Sequence, residues 1–533
     1  MEDHNKFFNK DIKAKTYKGI YAMHKYWAKK PFNVISEYIN HFTNEGDVVF
    51  DPFCGSGVVI TESLMNNRKA IANDLNPVST FITEKTTKPI DLKLLDLEFK
   101  KLKNDVKPLI DELYKIHCPE CGEEIIVTHS IWKGETPKTM WFDCKKCNKK
   151  QTLPVSDEFI SKMNEVNSRD IPYWYPQNKM FENSRINVKK NQKVSDLFTH
   201  RNLLAASIIF NRIEKIEDKE IREMMKFVFT SAVPQMTKLM FVIKRRSKNN
   251  GAEKEELGSW VAGYWMPEDR FELHALRFFE NRYKRIKKGK EDSNKIKIYE
   301  ENENVKYFNE SAKKLDSIDD NSIDYIFTDP PYADYVPYFE QSLLWASWLK
   351  KDIDFKGEIV ISNSKEREKN KKQYLTDMEI AFTEIAKKLK PNKFMTVTFN
   401  SVKHDIWDGF LRALENSGLK LVNIKSISTS ACSVVQDSRA GALKGDLYLT
   451  FQKTDEEPIL NKIGNIETTS NKNQNKVIEI VNNFIKDNGT ASYDEIFSYV
   501  MPQLIKERLV TKENDLRVIL KKHCVLSNNK WGL

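Results

Sequence analysis

Apolar positions fall at two spacings along this chain, and where the spacing changes the elements change. PFNVISEYINHF (31–42) repeats its apolar residues every three or four positions, which predicts an amphipathic helix opened by Pro31 in its first turn. DVVF (47–50) reads as a short buried strand, VITESLMNNR (59–68) as a helix and KAIAND (69–74) as a second strand. Long helical patterns follow in RNLLAASIIFNRIEKI (201–216), REMMKFVFTSAV (222–233) and RFELHALRFFENRYKRIKKGK (270–290), with a polar loop at 245–256. From about residue 297 strands and helices alternate again. A strand is predicted at 323–328 and helices near 338–350 and over 376–389, the latter opened by a Thr376/Glu379 capping box and stopped before Pro391. A strand at 393–399 and the pair LKLVNIKSI and GDLYLTF complete the pattern. Residues 454–476 are polar and read as a linker.

Two strand ends carry unusual chemistry. VVFDPFCGSG (48–57) is a strand, a glycine turn and a helix start, a geometry that lets backbone approach a ligand closely. Asp74 ends the next strand, a place where an acid commonly accepts hydrogen bonds from ribose hydroxyls. No G-x-x-x-x-G-K-[ST] or G-x-G-x-x-G is present in that stretch, which argues against a P-loop or a dinucleotide site. The second end is DYIFTDPPYADY (324–335). Consecutive prolines cannot continue a strand, so the chain stops abruptly and presents Asp329 and Tyr332.

Composition narrows the setting. With 40% hydrophobic and 30% charged residues in 533, a globular chain of two to four domains is expected. No run of ~18 apolar residues indicates a membrane span, and MEDHNKFFNKDIKAK lacks the apolar core of a leader, so a cytoplasmic location is expected. The net charge of +10 suits a polyanionic partner. Four of the seven cysteines form CPEC (118–121) and CKKC (144–147), whereas Cys54, Cys432 and Cys524 stand alone. Paired Cys-x-x-Cys motifs at that separation predict a closed, structural zinc site on Cys118, Cys121, Cys144 and Cys147, with His117 not needed as a ligand.

Taken together, HKYWAKKP (24–31), DPFCGSG (51–57), NDLNP (73–77) and DPPY (329–332) resemble the S-adenosylmethionine-dependent amino-group DNA methyltransferases, and the cysteine pairs bring the chain nearest to zinc-ribbon adenine-specific methylases. The resemblance covers roughly residues 20–150 and 300–455. It implies an α/β fold: a doubly wound, Rossmann-like sheet split by a long insert with the zinc ribbon. It further implies a cofactor site of His24, Tyr26, Lys29, Pro31, Asp51, Pro52, Phe53, Cys54, Gly55, Gly57, Asp74, Asn76 and Ser311, the last in NESAKKL where relatives often carry Gly-Asp. Asp329, Pro330, Pro331 and Tyr332 would form the catalytic end: the carboxylate and the Pro330 carbonyl accept from the target amine, and the Tyr332 ring stacks on a flipped base. The implied reaction is methylation of adenine N6 in duplex DNA, with N4 of cytosine, an RNA base, or a non-catalytic DNA-binding regulator as alternatives. Restriction or defence proteins are possible partners.

The expected division is a cofactor half (1–115), a zinc ribbon (116–152), a helical target-recognition insert (153–296), a catalytic half (297–455), a linker (456–476) and a winged-helix-like unit (477–533). The insert offers IPYWYP, WVAGYW and the basic run 282–290 as base- and phosphate-contacting features. The last unit offers Arg517, Lys521, Lys522 and Lys530 on its third helix and wing.

Overall fold

The computed structural model of the chain describes residues 8, 10, 12–246, 253–260, 263–295, 304–428, 443–454 and 470–533. Cys432 and most of the expected linker lie outside these residues. Seven strands form the central sheet: β1 (Val48–Asp51), β2 (Lys69–Asn73), β3 (Val305–Phe308), β4 (Ile323–Thr328), β5 (Leu389–Phe399), β6 (Leu419–Ser428) and β7 (Gly445–Lys453). Their order is β3-β2-β1-β4-β5-β7-β6; the first four neighbouring pairs are parallel, and β7 runs antiparallel to both β5 and β6. This is the doubly wound α/β arrangement, with its switch point between β1 and β4.

All six residues of β4 are buried, as a central parallel strand requires. Side chains alternate between two apolar layers. Val49 and Tyr325 face the layer containing α1 (Phe32–Phe42) and the insert. Phe50 and Ile326 face the layer shared with the helices Lys371–Lys388 and His404–Asn416 and the C-terminal unit. Asp324 stays buried at the foot of β4 because its carboxylate accepts from Val48 N (3.0 Å) and Lys390 Nζ (2.7 Å).

Several elements depart from the sequence expectation. The helix expected to open at Thr376 begins at Lys371, where Asn370 accepts from Gln373 N at 3.0 Å; the hydrogen bond of a true cap outweighs the capping-box pattern. That helix ends at Lys388, and β5 begins before Pro391 rather than after it. RFEL is not helical: Asp269–Leu273 is a strand, and the helix after it is Ala275–Ser293, capped by His274. The ends of the loop expected over 245–256 are strand instead: Val242–Arg246 pairs antiparallel with Glu253–Leu257.

The insert leaves after α3 (Pro77–Thr87) and returns at β3. Its helix Leu92–Tyr114 packs inside it rather than on the central sheet: Phe99 stacks on Tyr283 with centroids 3.6 Å apart, and Tyr114 bonds Asn202. Residues 92–114, placed by the sequence with the first half of the sheet, thus pack with the insert. The cysteine-bearing strands Lys115–His117, Glu124–Lys133, Thr136–Cys144 and Lys149–Pro154 form one sheet, and Asp269–Leu273 adds to the strand Glu124–Lys133, joining ribbon and helices in one body. Several expected DNA-contacting groups are used internally. Trp260 and Tyr264 are buried, the latter donating to Gln341 O at 2.7 Å. Lys290 is wholly buried and binds the carbonyls of Lys85, Thr86 and Lys88 at the end of α3. Lys287 pairs with Asp96, while Lys284, Arg285, Lys288, Trp174 and Trp265 remain at the surface.

The C-terminal unit has the element order helix (Ser470–Asn488), helix (Tyr493–Lys506), helix (Leu516–His523) and hairpin (Val525–Ser527 with Lys530–Gly532). The Ser492/Glu495 capping box forms, and Asn528 and Asn529 both take positive φ in the hairpin turn. The unit shares its core with the catalytic half. Lys444 N donates to Asp494 at 2.6 Å, Leu516 N to His404 Nε2 at 3.4 Å, and Arg508 pairs with Glu415.

One buried ion pair holds the insert together. Glu272 accepts from Arg201 Nε (3.2 Å), Thr199 Oγ1 (2.6 Å) and Ser130 Oγ (3.2 Å), and both charged side chains are almost fully buried. Arg201→Met leaves a buried carboxylate without its cation and is expected to cost ~3–5 kcal/mol, whereas adding Glu272→Leu should restore most of the loss. Denaturant midpoints of the single and double variants check this; equal losses in both would contradict it.

Candidate active site

The floor of the site is the loop after β1. Cys54 N donates to Asn73 O (2.9 Å) and Gly57 N to Cys54 O (2.8 Å), folding the loop back over the end of β2. Gly55 and Gly57 have φ of +50° and +74°, a left-handed backbone that disfavours a side chain. Space makes the same demand at Gly57, where a Cβ would lie 2.6 Å from Thr83 Cγ2. Asp74 braces the loop, accepting from Gly55 N (3.0 Å) and Asn76 N (2.8 Å). Asn73, which the sequence reading passed over, ties three strand ends together: its side chain donates to Pro52 O and Glu310 O and accepts from Glu310 N.

Across the switch point β4 ends at Thr328, whose hydroxyl donates to Asp51 Oδ1 at 2.9 Å. Burial pushes the Asp51 carboxyl up to about 8, with Asp329 and Asp74 adding to the effect. Asp329 follows at once. Its Oδ1 accepts from Thr398 Oγ1 of β5 (2.7 Å) and lies 3.3 Å from Lys30 Nζ. Lys30 Nζ is also 2.7 Å from Asp446 Oδ2 of β7 and sits 4.8 Å from the centroid of the Tyr332 ring. The Tyr332 hydroxyl donates to Thr398 Oγ1 (3.3 Å), and its ring stands edge-on to Phe399. The Pro331 carbonyl accepts from Tyr374 OH (2.8 Å); among the described residues no hydrogen bond ends on the Pro330 carbonyl.

Between the two loops lies a cleft with about 910 Å³ of open space, solvent included. Of the expected site residues, Tyr26, Asp51, Pro52, Phe53, Cys54, Gly55, Asp74, Ser311, Asp329 and Pro331 line it, and part of Lys29 does. Others are placed differently. His24 is buried among aromatics, with Nδ1 on Lys25 O (2.8 Å) and Nε2 on Thr230 Oγ1 (3.2 Å); burial drags its pKa to about 3. The Lys29 ammonium is spent on the carbonyls of Tyr21 and His24. Asn76 caps α3 and donates to Ser342 Oγ, Pro31 caps α1, and Gly57 caps α2 (Val58–Met65) behind the cleft. His24, Pro31, Gly57 and Asn76 hold the scaffold rather than face the open space, while Lys29 lines it with its ammonium turned to those carbonyls. Lys30, adjacent to Lys29 in an undifferentiated Lys-Lys pair, was not expected; only the pairing of β7 beside β5 reveals its role.

Asp74, Ser311 and Asp329 offer oxygens to the cleft, and the Gly55 loop forms part of its wall. The carboxylate of Asp74 is pushed up to about 6 by burial.

The cysteines converge at the far end of the ribbon. The four sulfurs lie within 4.8 Å of one another, with Cys118–Cys147 at 3.9 Å and Cys121–Cys144 at 3.5 Å. Four thiolates at ~2.3 Å from a tetrahedral zinc stand ~3.8 Å apart, so the donor set and its spacing fit that ion. Gly122 and Asn148, each just after a Cys-x-x-Cys, have positive φ, which turns the backbone over each pair. His117 bonds Glu158 and stays outside the cluster.

Comparison with known proteins agrees with the N-terminal motifs. Residues 3–84 match the model of a family described as DNA methylase. Over 46 residues, 9% of this chain, the protein is 41% identical to the orphan methyltransferase M.BamHII of Bacillus amyloliquefaciens, and the match spans 17% of that relative. Among solved structures, an rRNA methyltransferase, AviRa from Streptomyces viridochromogenes, aligns over 80% of this chain and 87% of that one at 9% identity and a TM-score of 0.25. A phosphoethanolamine N-methyltransferase of Haemonchus contortus aligns over 80% and 99% at 8% identity and a TM-score of 0.18. At such scores these likenesses carry no weight, and the fold is read from the strand order instead.

Purified protein is expected to carry about one zinc per chain. Cys147→Ser should release it and lower the melting temperature of the insert, because binding energy at such sites is folding energy. Metal analysis of reduced protein finding no zinc, or an unaltered melting curve in the variant, would count against the site.

Proposed function

We propose that the protein is an amino-group DNA methyltransferase that moves the methyl group of S-adenosylmethionine to N6 of adenine in duplex DNA. One observation carries this: the glycine loop with Asp74 and two residues of the Asp-Pro-Pro-Tyr end, Asp329 and Pro331, line one cleft at the carboxyl ends of adjacent parallel strands. The match of residues 3–84 to a DNA methylase family supports it. Asp329 in the first position of the tetrapeptide, where a serine would favour cytosine, inclines the reading to adenine.

In this reading Asp74 accepts from the ribose hydroxyls of the cofactor, Ser311 lies toward its adenine, and the Gly55 loop lets it approach the backbone. When bound, S-adenosylmethionine supplies an electrophilic methyl group. The residues of the chain prepare the acceptor. An exocyclic amine is a weak nucleophile because its lone pair is delocalised into the ring. With its two hydrogens held by the Asp329 carboxylate and the Pro330 carbonyl, the nitrogen can pyramidalise. Fixed polar groups in the cleft suffice for such a one-step displacement. No covalent intermediate is needed, and Cys54, buried with its thiol 3.6 Å from Thr83 Oγ1, is not placed as a nucleophile. The base must leave the duplex to reach the cleft.

Asp329→Ala should lower methyl transfer ~10²–10³-fold, the scale of losing one preorganised polar group in a buried site, while cofactor affinity is retained. Radiolabelled methyl incorporation into duplex DNA and into RNA measures this. Near-normal turnover in the variant, or transfer to RNA alone, would overturn the reading.

Cofactor binding should depend on pH through Asp74. Its raised pKa means that the carboxylate is protonated below about 6 and loses acceptor capacity there. Affinity should therefore fall as pH drops through that value, and Asp74→Asn should bind weakly without this dependence. Calorimetric titrations at acid and neutral pH decide the point.

A further inference from the structure

The cleft contains a charge arrangement that the motif does not account for. Asp329 is not a lone acid at a strand end. It belongs to a row of three ionisable groups, Asp329, Lys30 and Asp446, drawn from three separate parts of the chain: the end of β4, the segment before α1, and the start of β7. The Lys30 side chain is 8% exposed, so its charge is not solvated by water but by the two carboxylates. Asp446 is fixed in turn, since Asn400 donates to its Oδ1 (3.3 Å) and to Gly445 O (2.5 Å). The ammonium is thereby held on one side by an anchored acid and faces the catalytic acid on the other.

We propose that Lys30 is a positioning residue for methyl transfer: anchored by Asp446, its ammonium holds the Asp329 carboxylate ionised and turned toward Thr398, in the orientation in which it receives the target amine. This rests on the function proposed above and deepens it. An ionised Asp329 accepts both of its hydrogen bonds, whereas a protonated one loses acceptor capacity on the amine. Burial pushes Asp329 up, Lys30 pulls it down, and Asp446 pushes it up again. The other titratable groups facing it are Asp51 at the end of β1 and the phenols of Tyr17, Tyr332, Tyr338 and Tyr448. The Lys30 charge lowers Asp329 and the Asp446 charge raises it, so removal of the one and removal of the other should shift the acid in opposite directions.

That opposition is the test. Single-turnover methyl transfer to duplex DNA is measured against pH with full-length wild type, Lys30→Met, Lys30→Arg and Asp446→Asn at saturating cofactor. Expected is an acid limb displaced upward by about one pH unit in Lys30→Met, a tenfold loss of rate on that limb that alkaline pH recovers. Asp446→Asn should displace the limb downward, Lys30→Arg should leave it in place, and cofactor affinity should be unchanged throughout. A uniform loss at every pH with the limb unmoved would overturn the proposal and leave Lys30 a packing residue. Should the wild type transfer no methyl group to DNA, the proposed function fails on its own account. The coupling is then read directly from the ¹³C carboxyl titration of Asp329, assigned through Asp329→Asn: an Asp329 midpoint raised in Lys30→Met sustains it, and an unmoved midpoint overturns it.

Discussion

Everything in the cleft depends on the parallel contact between β1 and β4. Val49 pairs with Tyr325 and Phe50 with Ile326, so two segments separated by well over two hundred residues of sequence end side by side. From this pair the chain continues to β2 on one side and to β5 on the other, and the loops after Asp51 and Thr328 are left open above the sheet. The Thr328–Asp51 hydrogen bond joins the two loops at their base. A register slip of one residue would turn Asp51 and Thr328 to opposite faces and break both the bond and the cleft.

Given that contact, the main energetic difficulty is negative charge. Asp51, Asp74, Asp329 and Asp446 are all drawn toward one cleft, and each is accommodated differently. Asp51 accepts one hydroxyl and one backbone amide, and burial favours its neutral form. Asp74 is held by two backbone amides, which a buried carboxylate accepts well. Asp446 and Asp329 share Lys30, and an ammonium bound between two acids is more strongly stabilised as a cation than either pair alone would make it. Burial thus favours the neutral form of Asp51, while at Asp329 the Lys30 charge opposes the upward push of burial.

Much of this was legible in the sequence, and the reasons for what was not are local. The glycine loop, Asp74, the Asp-Pro-Pro-Tyr end and the cysteine pairs announce themselves because turn geometry and metal coordination demand particular residues at fixed spacing. Helices with an apolar stripe and a real cap, such as Tyr493–Lys506, were equally plain. His24 and Asn76 stand away from the cleft because a motif identifies a segment and not the direction of each side chain. Within HKYWAKKP, one lysine points at carbonyls of its own loop and the next at two acids hundreds of residues away. RFEL was read as helix because four residues carry no period of their own, and only the ribbon strand beside it makes it a strand. The basic run 282–290 shows the same limit, since charge is visible in a sequence but burial of Lys290 against a helix end is not.

The position of the insert explains how so large an addition leaves the site intact. It departs after α3 and returns at β3, the outermost parallel strand, so it interrupts the sheet next to an edge and not between β1 and β4. Loop closure costs grow only with the logarithm of length, and a long excursion that folds on itself pays most of its own ordering cost. The insert does so through the Arg201–Glu272 pair, the Phe99–Tyr283 stack and the cysteine cluster, all internal to it. Its contact with the catalytic body is then free to be specific. Lys290 seals the end of α3, Tyr264 reaches the carbonyls of Glu340 and Gln341 on the helix that follows the Asp-Pro-Pro-Tyr end, and His24 meets Thr230. The insert thus braces the elements that follow the two cleft loops, α3 and the helix Tyr338–Trp348.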